Sequence, residues 1–427
     1  MRQLKLTQKR IPPAVLEKLR PARRDLPAVE RSVRTILAAV QAKGDRAVTA
    51  YTQRFDRFRL TPQRFRVPLD RIKAAYDKVN RTDTDHLRFA ADRIRAFHER
   101  QKGHGWSYET QGITLGQMLR PLDIVGLYVP GGLAAYPSSV LMNAIPAKVA
   151  GVSRIVMCTP APGGEIAPAL LVAADIAGLD EIYMIGGAQA IGAMAFGTAT
   201  IPQVDKIVGP GNIYVATAKK QVFGQVDIDM IAGPSEIAII ADDSANPVFV
   251  TADHISQAEH DEHAVSILIT PARKLARKVL QLLPQQIRDQ PRRRVIAAAL
   301  KSFGTIITVR DLDQALEVAN AIAPEHLELA VDRPHELLPK VRHAGAVFLG
   351  HFTTESLGDY VAGPNHVLPT GGTARFSSPL SVDDFLKKTS LIGFTREGLK
   401  QVRNAAIGIG RIEGLFAHAR AVEVRLP

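Results

Sequence analysis

The chain has 427 residues, 46% of them apolar, with 32 Gly, 27 Pro and one Cys. That exceeds the length at which one hydrophobic core keeps growing, so two or more domains are expected, and the composition excludes disordered, fibrous and disulfide-framework classes. The net charge of +12 invites a nucleic-acid reading, yet residues 1–100 hold 25 Lys and Arg against 11 Asp and Glu, while the rest hold 29 against 31. The excess belongs to an N-terminal part without a groove-reading motif, and a solvated helix face accounts for it.

The first ten residues are basic, but Ile11, Pro12 and Pro13 follow them where a secretory signal would have an apolar segment, so no such signal is read. From about 13 to 102 the apolar spacing is helical: Val33, Ile36, Leu37 and Val40 share a face, continued by Val48 and Tyr51 after Gly44. No strand alternation is read there, and Phe89 and Phe97 are expected in the core. From 118 to 241 the pattern changes. Short apolar strands at 124–129, 154–159, 181–185 and 206–208 alternate with helical patterns at 139–149, 166–177 and 212–222, the βαβ rhythm of a parallel sheet. Cys158 lies in one of these strands as a small buried hydrophobe, which fits a reducing cytoplasm. The uncharged stretches 124–147 and 182–204 are broken by Gly, Pro, Ser or Gln and do not make membrane helices.

A second block follows, with strands at 236–241, 264–270, 305–309, 327–331 and 346–349 and helices near 245–259, 272–282, 311–322 and 335–342. Its rhythm matches that of the first block without a letter-level repeat. The tail from 381 reads as helical and too small for its own core, so it packs on another domain or subunit. The expected divisions are 1–117, 118–235, 236–380 and 381–427.

Five separated fragments carry the chemistry: Gln257-Ala-Glu-His260, Pro324-Glu325-His326, Gly358-Asp359-Tyr360, Pro364-Asn365-His366 and Glu413-Gly-Leu-Phe-Ala-His418. Together they offer imidazoles, a carboxylate and an amide oxygen to a metal such as zinc, and a Glu-His pair for proton transfer. Gln257 and His260, three apart near a helix end, project from one face; read alone they would be structural more often than ligating. His254 reads as a helix-surface or supporting residue and His263 as solvated. Asp359 falls in a Gly- and Pro-containing loop, where an ordinary turn carboxylate is the bland alternative. Glu325 and His326 sit at a helix-to-strand junction. Glu413 and His418 are five apart, so a helix end must lie between them if both serve one site.

These fragments, with Gly126-Leu-Tyr-Val-Pro-Gly-Gly132, Gly186-Gly-Ala-Gln-Ala-Ile191, Gly209-Pro-Gly-Asn212 and Gly233-Pro-Ser-Glu236, resemble the histidinol dehydrogenase family from about Val33 to the C-terminus. The resemblance implies an α/β fold of two similar incomplete Rossmann-like (aldehyde-dehydrogenase-like) modules, with a helical N-terminal region and a small helical C-terminal tail. It implies zinc on Gln257, His260, Asp359 and His418, and proton transfer by Glu325 and His326. The zinc residues and His326, with Ser235, His366 and Glu413, would line the substrate site. NAD contacts would fall on Tyr128, Gln189 and Asn212. No Gly-x-Gly-x-x-Gly follows a strand, so the glycine turns at 186–192 and 209–212 are the nearest phosphate cradles. The family also implies a homodimer whose C-terminal part enters the neighbouring site, and the substrate L-histidinol. Rival readings are a related zinc/NAD dehydrogenase of another diol or amino alcohol, a zinc hydrolase, and a nucleic-acid-binding module.

Overall fold

A computed structural model describes residues 1–6, 8, 11–19, 27–131, 136–179 and 181–426. Gly132, which closes the Gly126–Gly132 motif, lies outside them. Two parallel sheets dominate. The first has five strands in the order Glu181–Tyr183, Arg154–Cys158, Ile124–Tyr128, Lys206–Val208, Asp227–Ile228. The second runs Arg2–Lys5, Gly304–Thr308, Val265–Thr270, Glu236–Ala241, His326–Ala330, Ala346–Leu349. Numbered within its own block, each sheet follows the order 3-2-1-4-5, and the second gains Arg2–Lys5 at its edge. This is the shared rhythm of the two blocks made explicit. In each sheet the order reverses between strands 1 and 4, the place where open α/β sheets form a crevice.

The strands are buried on both faces, as parallel sheets require: Glu236–Ala241, Val265–Thr270 and His326–Ala330 have every residue buried. Helices start where side chains can cap them. Asn212 Oδ1 accepts from the Tyr214 and Val215 amides, and Asn246 Oδ1 accepts from the Val248 amide. Helix Pro27–Lys43 packs Val33, Ile36, Leu37 and Val40 into the core of the first sheet. Cys158 is fully buried there. Among the described residues no helix is long and apolar enough to cross a membrane.

Three features depart from the sequence reading. Strands Leu386–Phe394, Ile113–Pro121 and Trp106–Thr110 form an antiparallel sheet, so a strand separates the short 3-10 turn Val382–Phe385 from the α-helices that begin at Arg396, and the N-terminal region ends in strands. Arg2–Lys5 is a strand on Gly304–Thr308. Phe89 and Phe97 are 57% and 37% exposed, because Ala90, Ala91, Ile94 and His98 occupy the inward face of helix Arg81–Glu99.

Candidate active site

Helix Pro247–Glu259 ends with Gln257 in its last turn and His260 as its C-cap residue. Gln257 is fully buried, and neither its Oε1 nor its Nε2 has a hydrogen-bond partner. A buried amide with both ends orphaned is costly unless something else binds there. His260 Nε2 lies 3.6 Å from Glu355 Oε1 and 3.8 Å from Asp359 Oδ2. These three ligand atoms lie within 4.8 Å of one another, a grouping able to hold a cation. Burial pushes Glu355 well above the usual carboxylate range, helped by the negative charge of Asp359, and burial also raises Asp359 against the pull of His260. A divalent cation would reverse that penalty. Imidazole nitrogen and carboxylate oxygens are donors that fit zinc, and Gln257, with its unpartnered amide, stands three residues before His260 at the same helix end.

Asp359 is not in a loop. It closes helix Glu355–Tyr360, one turn after Glu355, and the loop begins at Val361. The helix is held from behind: the Glu355 amide donates to Glu328 Oε1 at 2.8 Å, across from strand His326–Ala330. Burial and the adjacent charge of Asp253 hold Glu328 well above the ordinary carboxylate range, and burial raises Asp253 as well. Glu355, Glu328 and Asp253 were not found by sequence reasoning. The one available signal was Glu355 four residues before Asp359, the spacing that puts two carboxylates on one helix face.

Glu325 and His326 come together with the strand 236–241. Glu325 Oε2 accepts from Ser235 Oγ–H at 2.5 Å and from the Glu236 amide at 2.9 Å. Burial drives its carboxyl well above the ordinary range, against those two hydrogen bonds. His326 Nδ1 lies 3.2 Å from the Glu236 carbonyl. A carbonyl can only accept, so Nδ1 carries the hydrogen and Nε2 is left with its lone pair. That Nε2 is buried, has no hydrogen-bond partner, and lies 3.9 Å from Asp359 Oδ1. Burial brings the imidazole down to about 3, so it is neutral at pH 7. The strand begins only at His326, so Glu325 lies outside its side-to-side alternation.

His366 Nδ1 donates to the Asp359 carbonyl at 2.9 Å, and its Nε2 is 3.4 Å from Ser139 Oγ. The loop is stapled to helix Pro137–Ala150, which follows the first strand of the other sheet. Pro146 has no N–H for the Met142 carbonyl, and Asn365 Nδ2 takes that acceptor at 2.6 Å. On the opposite side Arg93 Nε donates to the Val361 carbonyl at 2.5 Å. His254, expected at the helix surface or behind the site, is completely buried against Ser266 because the helix packs on strand Val265–Thr270. His263 is exposed as expected and pairs with Asp261.

The NAD candidates gather at the carboxyl ends of the first sheet. Tyr128 ends the strand next to Lys206–Val208, and its hydroxyl accepts from the Gly187 amide at 3.0 Å. Gln189 is buried, with Oε1 unpartnered. Asn212 caps helix Ile213–Val222. An added Cβ on Gly209 would lie 2.1 Å from the Tyr128 carbonyl oxygen, so the two strand ends approach as closely as backbones can. Small residues at the strand ends and an orphaned buried amide suit a dinucleotide.

Glu413 and His418 are not brought to this place within one chain. Glu413 is the C-cap of helix Arg396–Ile412, His418 lies in helix Phe416–Glu423, and both are exposed. The break expected between them is there, at Glu413–Leu415. The hairpin shows Ile409, Ile412, Leu415, Phe416 and Val424 to solvent, with Ile412 87% exposed.

Residues 19–426 match the family model described as histidinol dehydrogenase. A histidinol dehydrogenase of Syntrophotalea carbinolica is 55% identical over 399 residues, 93% of each chain. One from Aquifex aeolicus is 55% identical over 396 residues, 93% of this chain and 92% of that one. The crystal structure of histidinol dehydrogenase from Elizabethkingia anophelis superposes with a TM-score of 0.93 at 39% identity, covering 100% of this chain and 98% of that one.

Proposed function

The chain belongs to the histidinol dehydrogenase family, and from that premise we propose that it oxidises L-histidinol to L-histidine by way of L-histidinal. One water is consumed, two NAD are reduced, and three protons are released. The observation that carries the site reading is the position of Asp359, whose two oxygens lie 3.8 Å from His260 Nε2 and 3.9 Å from His326 Nε2. The metal candidate and the proton-transfer candidate stand on either side of one carboxylate.

In this reading Gln257, His260 and Asp359 hold zinc, joined by His418 from the second subunit of a homodimer. When bound, zinc supplies a positive template for the substrate's imidazole and amino nitrogens, and NAD, at Tyr128, Gln189 and Asn212, supplies the hydride acceptor. The chain's own residues handle protons. His326 Nε2, free and neutral, takes the hydroxyl proton in the first oxidation, while Nδ1–H on the Glu236 carbonyl fixes the ring. In the second, Glu325 removes a proton from the water that adds to the aldehyde, and His326 serves again as a base before the second hydride leaves. Ser235, whose hydroxyl donates to Glu325 Oε2 at 2.5 Å, aims that carboxylate. His366, tied through Nδ1 to Asp359, leaves Nε2 for the substrate, and Glu413 contributes across the dimer. A cytoplasmic setting belongs to this reading and is supported by the one free, buried thiol.

Incubation with L-histidinol and NAD should give two NADH for each histidine. No NADH from L-histidinol, with turnover of a different amino alcohol, would transfer the chain to a related dehydrogenase activity.

A further inference from the structure

Lys219 and Asp229 form an ion pair whose side chains are 3% and 1% exposed. No step above uses them. Removing two charges from water is costly, and apolar replacements of the same volume often serve stability as well, so such a pair calls for another account. The pair encloses one residue. Lys219 Nζ donates to the Gly209 carbonyl at 2.9 Å, and the Gly209 amide donates to Asp229 Oδ2 at 2.7 Å. Asp229 Oδ1 accepts from Lys219 and from the Met230 amide, the latter at 2.5 Å.

Gly209 ends the strand Lys206–Val208 with φ of +111°, a conformation that favours glycine, and its Cα faces the backbone of Tyr128. Three residues on, Asn212 opens helix Ile213–Val222. The clamp therefore grips both polar backbone groups of the residue from which the 209–212 turn departs. It does so beside two of the three NAD candidates.

We propose that Lys219 and Asp229 are positioning residues for the dinucleotide: a buried charged clamp fixes the 209–212 turn, so the backbone beside the pyrophosphate is already ordered and binding carries no ordering cost there. This inference rests on the NAD reading of Tyr128, Gln189 and Asn212.

The single variants Lys219→Met and Asp229→Asn each leave a buried partner unmatched and should lose thermal stability. The double variant Lys219→Met/Asp229→Asn leaves no unpaired charge. It should recover the wild-type melting temperature, zinc content and KM for L-histidinol, yet show KM for NAD and Kd for NADH raised roughly ten- to a hundredfold. A double variant that binds NADH as wild type does would reduce the pair to a stability element and overturn the proposal. If that protein fails to fold, Lys219→Leu/Asp229→Asn takes its place. It too should show the raised Kd for NADH, and wild-type binding in the folded protein overturns the clamp. Wild-type NADH titration is measured first. Absence of saturable binding there removes the NAD reading and this inference with it, whereas normal binding in both wild type and the Met–Asn variant removes the inference alone.

Discussion

Glu355 Oε1 stands 3.6 Å from His260 Nε2, in a place where the Glu355 side chain is 1% exposed and its other oxygen has no partner. With Asp359 in the same short helix, two carboxylates converge on one imidazole without a cation of the protein's own among the three.

One zinc per subunit is expected there, lost in His260→Asn and Asp359→Ala with the fold retained. Chelation of the wild type should lower its melting temperature, because a ligand at a hundred times its Kd stabilises by about 2.7 kcal/mol. Metal analysis and circular dichroism check both. Full occupancy in the two variants would remove the site.

Glu325 and His326 should separate by step. His326→Asn should slow both oxidations, by ~10²–10⁴ if general-base catalysis has its usual weight. Glu325→Gln should slow oxidation of supplied L-histidinal much more than that of L-histidinol, since acid formation also needs water activated. Equal slowing of both half-reactions, with histidinol and zinc still bound, would contradict this division.

The exposed Glu413 and His418 predict a composite site. Inactive His326→Asn and inactive Glu413→Ala proteins, mixed under subunit exchange, should recover part of the activity. Demonstrated heterodimers without activity would mean that the sites are built within one chain.

Burial holds His254 down to about 3, against an ordinary 6.5. A depressed folded-state pKa means the unfolded chain takes up a proton that the folded chain refuses. The associated stability is full above 6.5 and is lost as pH falls from there towards 3. Each such proton steepens the loss by about 1.4 kcal/mol per pH unit. Urea unfolding of wild type and His254→Asn at pH 7 and pH 5 should show the smaller loss in the variant. Equal losses would mean that His254 is protonated in the fold.

The two parallel sheets were legible because their strands are uninterrupted apolar runs between helical patterns, and the resemblance carried the site residues onto them. The antiparallel sheet was not. Trp106–Thr110 has every residue exposed and so lacks the alternation that marks a half-buried strand. Leu386–Phe394 pairs with a segment some 270 residues earlier, which no local pattern can announce. Asp359 was read as a loop residue because Gly358 and the later Gly and Pro weigh against helix, yet the Glu328 carboxylate accepting from the Glu355 amide starts a short one. Glu355 itself went unread because its significance depends on His260, reached only through the fold.

The edge strand Arg2–Lys5 sets an order of events during synthesis. Its partner, Gly304–Thr308, leaves the ribosome about 300 residues after it, a delay of roughly 15–60 s at ordinary elongation rates. Until then the start of the chain has no place in the sheet. Once Gly304–Thr308 emerges, the waiting segment covers an edge that would otherwise offer its unpaired amides and carbonyls to another nascent chain.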